Sequence, residues 1–130
     1  VKTMLKLGST RDELGVIGDQ FGGPTYAGDI ADAAITISGQ FQGQEQNGIY
    51  HFSGSPYVSW YEFSVAIFNS ATLHIGGYNS PIVNEIKAVE YPLPAVRPAN
   101  SRLDCTKLES LFDIKPSNWL EALNRIKEYE

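Results

Sequence analysis

The sequence predicts an α/β fold, one that is α+β-like as an isolated fragment. Segments with apolar residues at helical spacing alternate with short β-rich runs, and Gly or Pro bounds most of those runs. No repeat, low-complexity tract or linker interrupts the 130 residues, a length suited to one domain or part of a larger one.

Val1-Lys2-Thr3-Met4-Leu5-Lys6-Leu7 reads as a helix already under way, with Val1, Met4 and Leu5 on one face and Lys2 and Lys6 on another. Such a start, without an initiator Met, is expected of a separately expressed domain or a proteolytic fragment. Leu14-Gly15-Val16-Ile17 is a first extended run, Gly48-Ile49-Tyr50-His51-Phe52 a second, and Ile82 through Tyr91 a third that ends at Pro92 and Pro94. Between the first two lies a helix with Thr25 as its N-cap and Ile30, Ala33, Ala34 and Ile37 as its inner stripe. It stops near Gly39, and the polar stretch Gln40 to Asn47 follows as a loop.

The next helix is the best signalled. Ser59 and Glu62 form an S-x-x-E capping box, Val58 and Phe63 sit at staple positions, and Phe63, Ala66 and Ile67 continue the buried stripe. Trp60 and Tyr61 read as packing residues. Leu73-His74-Ile75 is a short apolar stretch stopped by Gly76-Gly77. Asp104 is placed to cap a third complete helix, with Leu103 and Leu108 as a second staple and Leu108, Leu111 and Phe112 facing inward. Ser117 is placed to cap a last helix carrying Leu120, Leu123 and Ile126.

A formal net charge of -5 argues against nonspecific binding to nucleic acid or anionic membrane, while leaving room for a small anionic ligand held by local Arg and N–H groups. No apolar run approaches the roughly 20 residues needed to span a bilayer. Cys105 is the only cysteine, so no internal disulfide forms and a reducing cytoplasm fits best; neither His51 nor His74 completes a recognisable Cys–His motif with it. There is no G-x-G-x-x-G, P-loop, H-E-x-x-H or zinc spacing. Gly22-Gly23 reads as a turn. Asp29 and Asp32 suit the N-terminal end of a helix dipole, and Glu121, Glu128 and Glu130 suit solvent.

Two polar, constrained segments remain. Asp19-Gln20-Phe21-Gly22-Gly23-Pro24-Thr25-Tyr26 is a strand-to-helix junction, where α/β proteins bind ligands. Arg97-Pro98-Ala99-Asn100-Ser101-Arg102-Leu103-Asp104 presents two guanidiniums, an amide and a hydroxyl on a stretch stiffened by Pro98; its alternative reading is a solvated loop with a cap.

With these segments the sequence resembles the dTDP-4-dehydrorhamnose reductases, which are extended short-chain dehydrogenase/reductases. The matching stretches are Val1 to Leu5, Asp19 to Ala27, Gly48 to His51, Ser59 to Phe63, Tyr91 to Ala95 and Arg97 to Asp104. The resemblance implies the carboxy-terminal substrate-binding portion of a Rossmann-type reductase across residues 1–130. The amino-terminal half, with its Gly-rich nicotinamide-binding turn and Tyr-x-x-x-Lys pair, would lie upstream. None of the seven Tyr is followed four positions later by Lys, so no catalytic residue is assigned to this chain and the fragment alone is expected to be inactive.

The resemblance further implies that the intact parent reduces the C4 ketone of dTDP-4-dehydro-L-rhamnose with NADPH or NADH, in the cytoplasm. It places Gln20, Phe21 and Thr25 beside the sugar-nucleotide pocket, and Arg97, Asn100 and Ser101 against the nucleotide or diphosphate. Val96 stands where a second, adjacent Arg is often found, leaving Arg97 as the matching cation. Family members associate in some cases through magnesium, for which no ligand set maps onto this chain; a homodimer and the chain's own Rossmann half are the implied partners. Other readings are a different nucleotide-sugar reductase or epimerase, and a noncatalytic regulatory relative. Faces made for the missing half are expected to be left exposed and to promote self-association.

Overall fold

The computed structural model describes residues 1–43, 46–92 and 94–129. Gln44 and Glu45 of the polar loop, Leu93 of the Tyr91–Ala95 match, and Glu130 lie outside the described residues. In chain order the elements are α1 (Lys2–Gly8), β1 (Glu13–Ile17), β2 (Phe21–Gly22), α2 (Ala27–Gln40), β3 (Gly54–Ser55), β4 (Val58–Ser59), α3 (Trp60–His74) and β5 (Ile82–Ile86). A 3-10 turn (Ala88–Glu90), α4 (Thr106–Phe112), β6 (Ser117–Asn118), α5 (Trp119–Ala122) and a 3-10 helix (Leu123–Tyr129) complete the chain.

Among the described residues the strands form three separate pairs. β1 and β5 run parallel with Glu13 opposite Ile82 and Ile17 opposite Ile86; β2 and β4 are antiparallel; β3 and β6 are parallel. The expected mixture of helices and short strands is therefore what the chain adopts.

The core forms around α3, for reasons visible in its sequence. The Ser59 hydroxyl accepts from Glu62 N at 3.1 Å and the Glu62 carboxylate accepts from Ser59 N at 2.6 Å, so the predicted capping box closes and satisfies two orphan N–H groups. From that start Ile67 and Ala71 become fully buried, packed with Leu5 of α1 and with Trp119, Leu123 and Ile126. Phe63 meets Trp119 edge to face at 5.2 Å. A second apolar group lies under α4, where Leu108 and Phe112 are buried and Tyr50 meets Phe112 edge-on at 5.4 Å.

Several expectations are corrected. The run Gly48–Phe52 forms no strand: Ile49 is 78% exposed, and pairing begins only at Gly54, against Ser117. The third extended run stops at Ile86, and its continuation winds into the 3-10 turn. Thr25 does not cap α2; Tyr26 occupies that position. Of the α2 stripe only Ala33 is buried, while Ile30 is 50% exposed, because the helix rests on α4 along a narrow line. Trp60 is 48% exposed, its packing incomplete within these residues; Tyr61 is half-buried.

At the other end, Leu111 faces solvent where an inner position was expected. Ser117 lies in β6, and Asn118 caps the last helix by accepting from Glu121 N. Leu120 is exposed and Trp119 buried instead. The inner line follows i, i+4 from Trp119 to Leu123 through α5. It then follows i, i+3 to Ile126 through the 3-10 helix, where three residues make a turn.

Exposed apolar surface is left on α2 at Ile30 and Ile35, and beside the β1–β5 pair. There a cavity of about 410 Å³ is lined by Met4, Leu7, Val16, Trp60 and Tyr91 among others. Parallel strands are ordinarily covered on both faces. No helix among the described residues is long and apolar enough to cross a membrane.

Candidate functional site

The site grows from the end of β1. Gly18 N donates to Ile86 O at 2.9 Å, extending the β1–β5 pairing by one residue, and the chain then turns through Asp19 and Gln20 into β2. Backbone groups alternate sides along a strand, so β2 has two edges to satisfy. On one, Gln20 O accepts from Trp60 N at 3.3 Å and β4 pairs with Phe21 and Gly22. On the other, Phe21 N donates to Ala99 O at 2.8 Å and Phe21 O accepts from Ser101 N at 2.9 Å. The Arg97–Asp104 segment, which the sequence left open as a solvated loop, is thereby laid alongside β2 about 80 residues from it in the chain.

Two of the expected residues meet here. Gln20 and Arg97 line one cavity of about 250 Å³ with Ile17, Tyr91 and Ala95, and the 3-10 turn contributes Ala88 and Val89 to its wall. Phe21, Asn100 and Ser101 build its support. The Ser101 hydroxyl donates to Phe21 O at 2.9 Å, and Asn100 Oδ1 accepts from Arg102 N at 3.1 Å. Both side chains, expected as ligand contacts, therefore spend polar atoms on holding their own loop.

Thr25 lies elsewhere. Its hydroxyl donates to Gly23 O at 2.9 Å and accepts from Gly54 N at 3.0 Å, fastening the turn to β3. The absence of a side chain at Gly54 is required there, since a Cβ would run into the Pro24 carbonyl. Thr25 lines a different, mostly apolar cavity of about 390 Å³ with Tyr26, Phe63, Trp119 and Tyr129.

Sequence reasoning missed two residues. Arg102 places its guanidinium 4.8 Å from the centre of the Phe21 ring and 5.9 Å from that of Tyr57, a stack that pins the loop to β2 and leaves in-plane donors free of the rings. The signal was present as the second Arg of the segment, but nothing in sequence joins it to Phe21. Ser117 is the other: it accepts from Tyr26 N at 3.1 Å and donates to the Asp29 carboxylate at 2.5 Å, so Asp29 is engaged by a hydroxyl as well as by the helix end.

Arg97 is the one charged residue among those lining the cavity. Asp104, further along the loop, has its carboxyl held below the usual value by hydrogen bonds from the side chain and backbone of Thr106. Cys105 is buried, with its sulfur 3.6 Å from both Ser53 Oγ and Leu103 O. No group of three or more potential metal ligands is found among the described residues. The arrangement is suited to holding an anion.

Comparison with known proteins agrees with this architecture. The chain is 51% identical over 131 residues to a dTDP-4-dehydrorhamnose reductase from Aggregatibacter actinomycetemcomitans, covering 99% of this chain and 45% of that protein. It is 46% identical over 129 residues to one from Sinorhizobium fredii, covering 97% of this chain and 43% of the relative. It thus spans less than half the length of the curated relatives it matches.

A crystal structure of a dTDP-4-dehydrorhamnose reductase from Clostridium acetobutylicum superposes with a TM-score of 0.83 at 31% identity, over 98% of this chain and 42% of that one. One from Bacillus anthracis, solved in complex with NADP, gives 0.81 at 28% identity, over 99% and 42%. A family model described as the RmlD substrate binding domain matches residues 1–129, and the chain belongs to that family.

Proposed function

We propose that this chain forms the nucleotide-sugar pocket of a dTDP-4-dehydrorhamnose reductase. The intact protein would reduce the C4 ketone of dTDP-4-dehydro-L-rhamnose to give dTDP-L-rhamnose, in the cytoplasm. The observation that carries the reading is the Arg97 cavity. A guanidinium and the Gln20 side chain share one concave site at the carboxyl end of β1, and its loop is locked to β2 by Phe21, Ala99 and Ser101. A diphosphate calls for a cationic, multidentate donor, and Arg97 supplies one. The 51% identity to a reductase of this name supports the choice of sugar nucleotide.

Residues 1–130 contain neither a Gly-rich dinucleotide turn nor a Tyr-x-x-x-Lys pair. In this proposal NADPH or NADH, supplying the hydride, is held by the remainder of the full-length protein, as is the proton-donating pair. This chain's part is to bind and orient. Arg97 meets the diphosphate, Gln20 lies at the same cavity, and Phe21, Asn100 and Ser101 hold the loop in place. Thr25 lines a separate cavity that reaches Lys2 and Thr3 of α1. The full-length protein is proposed to pair as a homodimer.

The test is calorimetric titration of the full-length protein with dTDP and dTDP-L-rhamnose. Replacing Arg97 with Ala should weaken binding at least about tenfold, or ~1.4 kcal/mol. Unaltered affinity would remove Arg97 from the pocket, and indifference of the unmodified protein to both ligands would overturn the assignment.

A further inference from the structure

We infer that Asp19 is a positioning residue for the Arg97 cavity, its carboxylate hanging the 3-10 turn Ala88–Glu90 from the end of β1. The inference rests on reading that cavity as the nucleotide-sugar site.

One wall of the cavity is made by Ala88, Val89 and Tyr91, facing Gln20 and Arg97. This wall has little packing to hold it: Val89 is 81% exposed and Tyr91 57%. The bonds within the turn are local. Glu90 N donates to Lys87 O at 2.9 Å, Tyr91 N to Ala88 O at 3.2 Å, and Lys87 N to the Glu90 carboxylate at 2.6 Å. They give the turn its shape without attaching it to the rest of the molecule.

The attachment is made by Asp19. Its Oδ1 accepts from Ala88 N at 2.9 Å, across 69 residues of chain. The backbone that carries that carboxylate is itself fixed on both sides. Gly18 N is bonded to Ile86 O just before it, and Gln20 O is bonded to Trp60 N just after it. The residue that anchors the wall is therefore next in sequence to a residue that lines the cavity, and one rigid turn places both. A diphosphate gains nothing from a nearby carboxylate, so the bond to Ala88, rather than ligand contact, accounts for an acid at this position.

The test compares Asp19→Ala and Asp19→Asn in the full-length protein, by amide hydrogen exchange over residues 87–91 and by calorimetric titration with dTDP-L-rhamnose. Asn keeps an acceptor oxygen and loses only the charge. Asp19→Ala should strip protection from the Ala88 amide and weaken binding by about fivefold, the equivalent of one ordinary hydrogen bond. In turnover, KM should rise by that factor with kcat nearly unchanged, as for a loss of uniform binding. Asp19→Asn should restore both protection and affinity.

The role is overturned if Asp19→Ala binds like the unmodified protein, or if Asp19→Asn is as weak as Asp19→Ala. Failure of the unmodified protein to bind dTDP-L-rhamnose sinks the nucleotide-sugar reading and this role with it. Binding by the unmodified protein with an indifferent Asp19→Ala sinks the role alone.

Discussion

Replacing Ser117 with Ala should cost far more than the loss of one surface hydroxyl. Ser117 is only 2% exposed, and its oxygen stands between two groups about ninety residues away: it accepts from Tyr26 N at 3.1 Å and donates to the Asp29 carboxylate at 2.5 Å. α2 has no side-chain cap from its own N-cap residue, and this hydroxyl takes the N–H of that residue, Tyr26. A neutral hydrogen bond contributes about 0.5–1.5 kcal/mol and one to a charged group about 1.5–3, so Ser117→Ala should lose roughly 2–4 kcal/mol. That is a large share of the 5–15 kcal/mol typical of a folded domain.

Urea unfolding of residues 1–130 measures it, with the midpoint falling and the slope unchanged. A cycle with Asp29→Ala isolates the hydroxyl–carboxylate pair, and its coupling should exceed about 1 kcal/mol. A loss under about 0.5 kcal/mol with no coupling would refute the claim that Ser117 pins α2 to β6. Because α2 follows directly on Pro24 and Thr25, the same substitution should loosen the turn that Thr25 fastens to β3.

Two further outcomes are expected. Ile67, fully buried against Leu5, Trp119 and Ile126, should cost about 2–5 kcal/mol as Ile67→Ala and about 0.5–1.5 as Ile67→Val in the same unfolding measurement; near-equal losses would mean that the site collapses freely. Asp104 has a lowered folded-state pKa, so its contribution is present above its ordinary value of 3.8 and fades as pH falls through the lowered one. The stability gap between the unmodified chain and Asp104→Ala should therefore hold steady at neutral pH and narrow in strong acid, and a gap that widens on acidification would contradict the Thr106 bonds.

Where local chemistry is complete within a few residues, the sequence was legible. Ser59 and Glu62 both lie in the first turn of α3, and each supplies what the other's backbone needs, so the box closes whatever surrounds it. The mixed fold class, the elements around α1, β1 and α3, and the family all followed from such local and ordered signals. The segments at Gln20 and Arg97 were also singled out, the first as a strand-to-helix junction and the second as a Pro-stiffened stretch with two guanidiniums, for which a solvated loop with a cap was the alternative.

What failed did so for want of a partner in view. Gly48–Phe52 has strand composition but pairs with no strand among the described residues. Ser117 resembles a helix cap, yet the strongest demand on its hydroxyl comes from Tyr26 and Asp29. The stripe of α2 is periodic, but periodicity shows only that one face is apolar, and Ile30 and Ala34 find no cover within these residues. Thr25 and Arg97 were grouped as one pocket and line two.

By itself, then, the sequence determined the α3 helix whose cap is local, the fold class, and which polar segments supply the lining of the Gln20–Arg97 cavity. Tertiary structure decided which of those segments meet. Arg102 stacks on Phe21, Asp19 reaches Ala88, and Ser101 locks to β2, each across about 70 residues or more. Those contacts depend on where the packing of α3 against α1 and the last helical turns carries each loop, and a loop's destination is not written in its own residues.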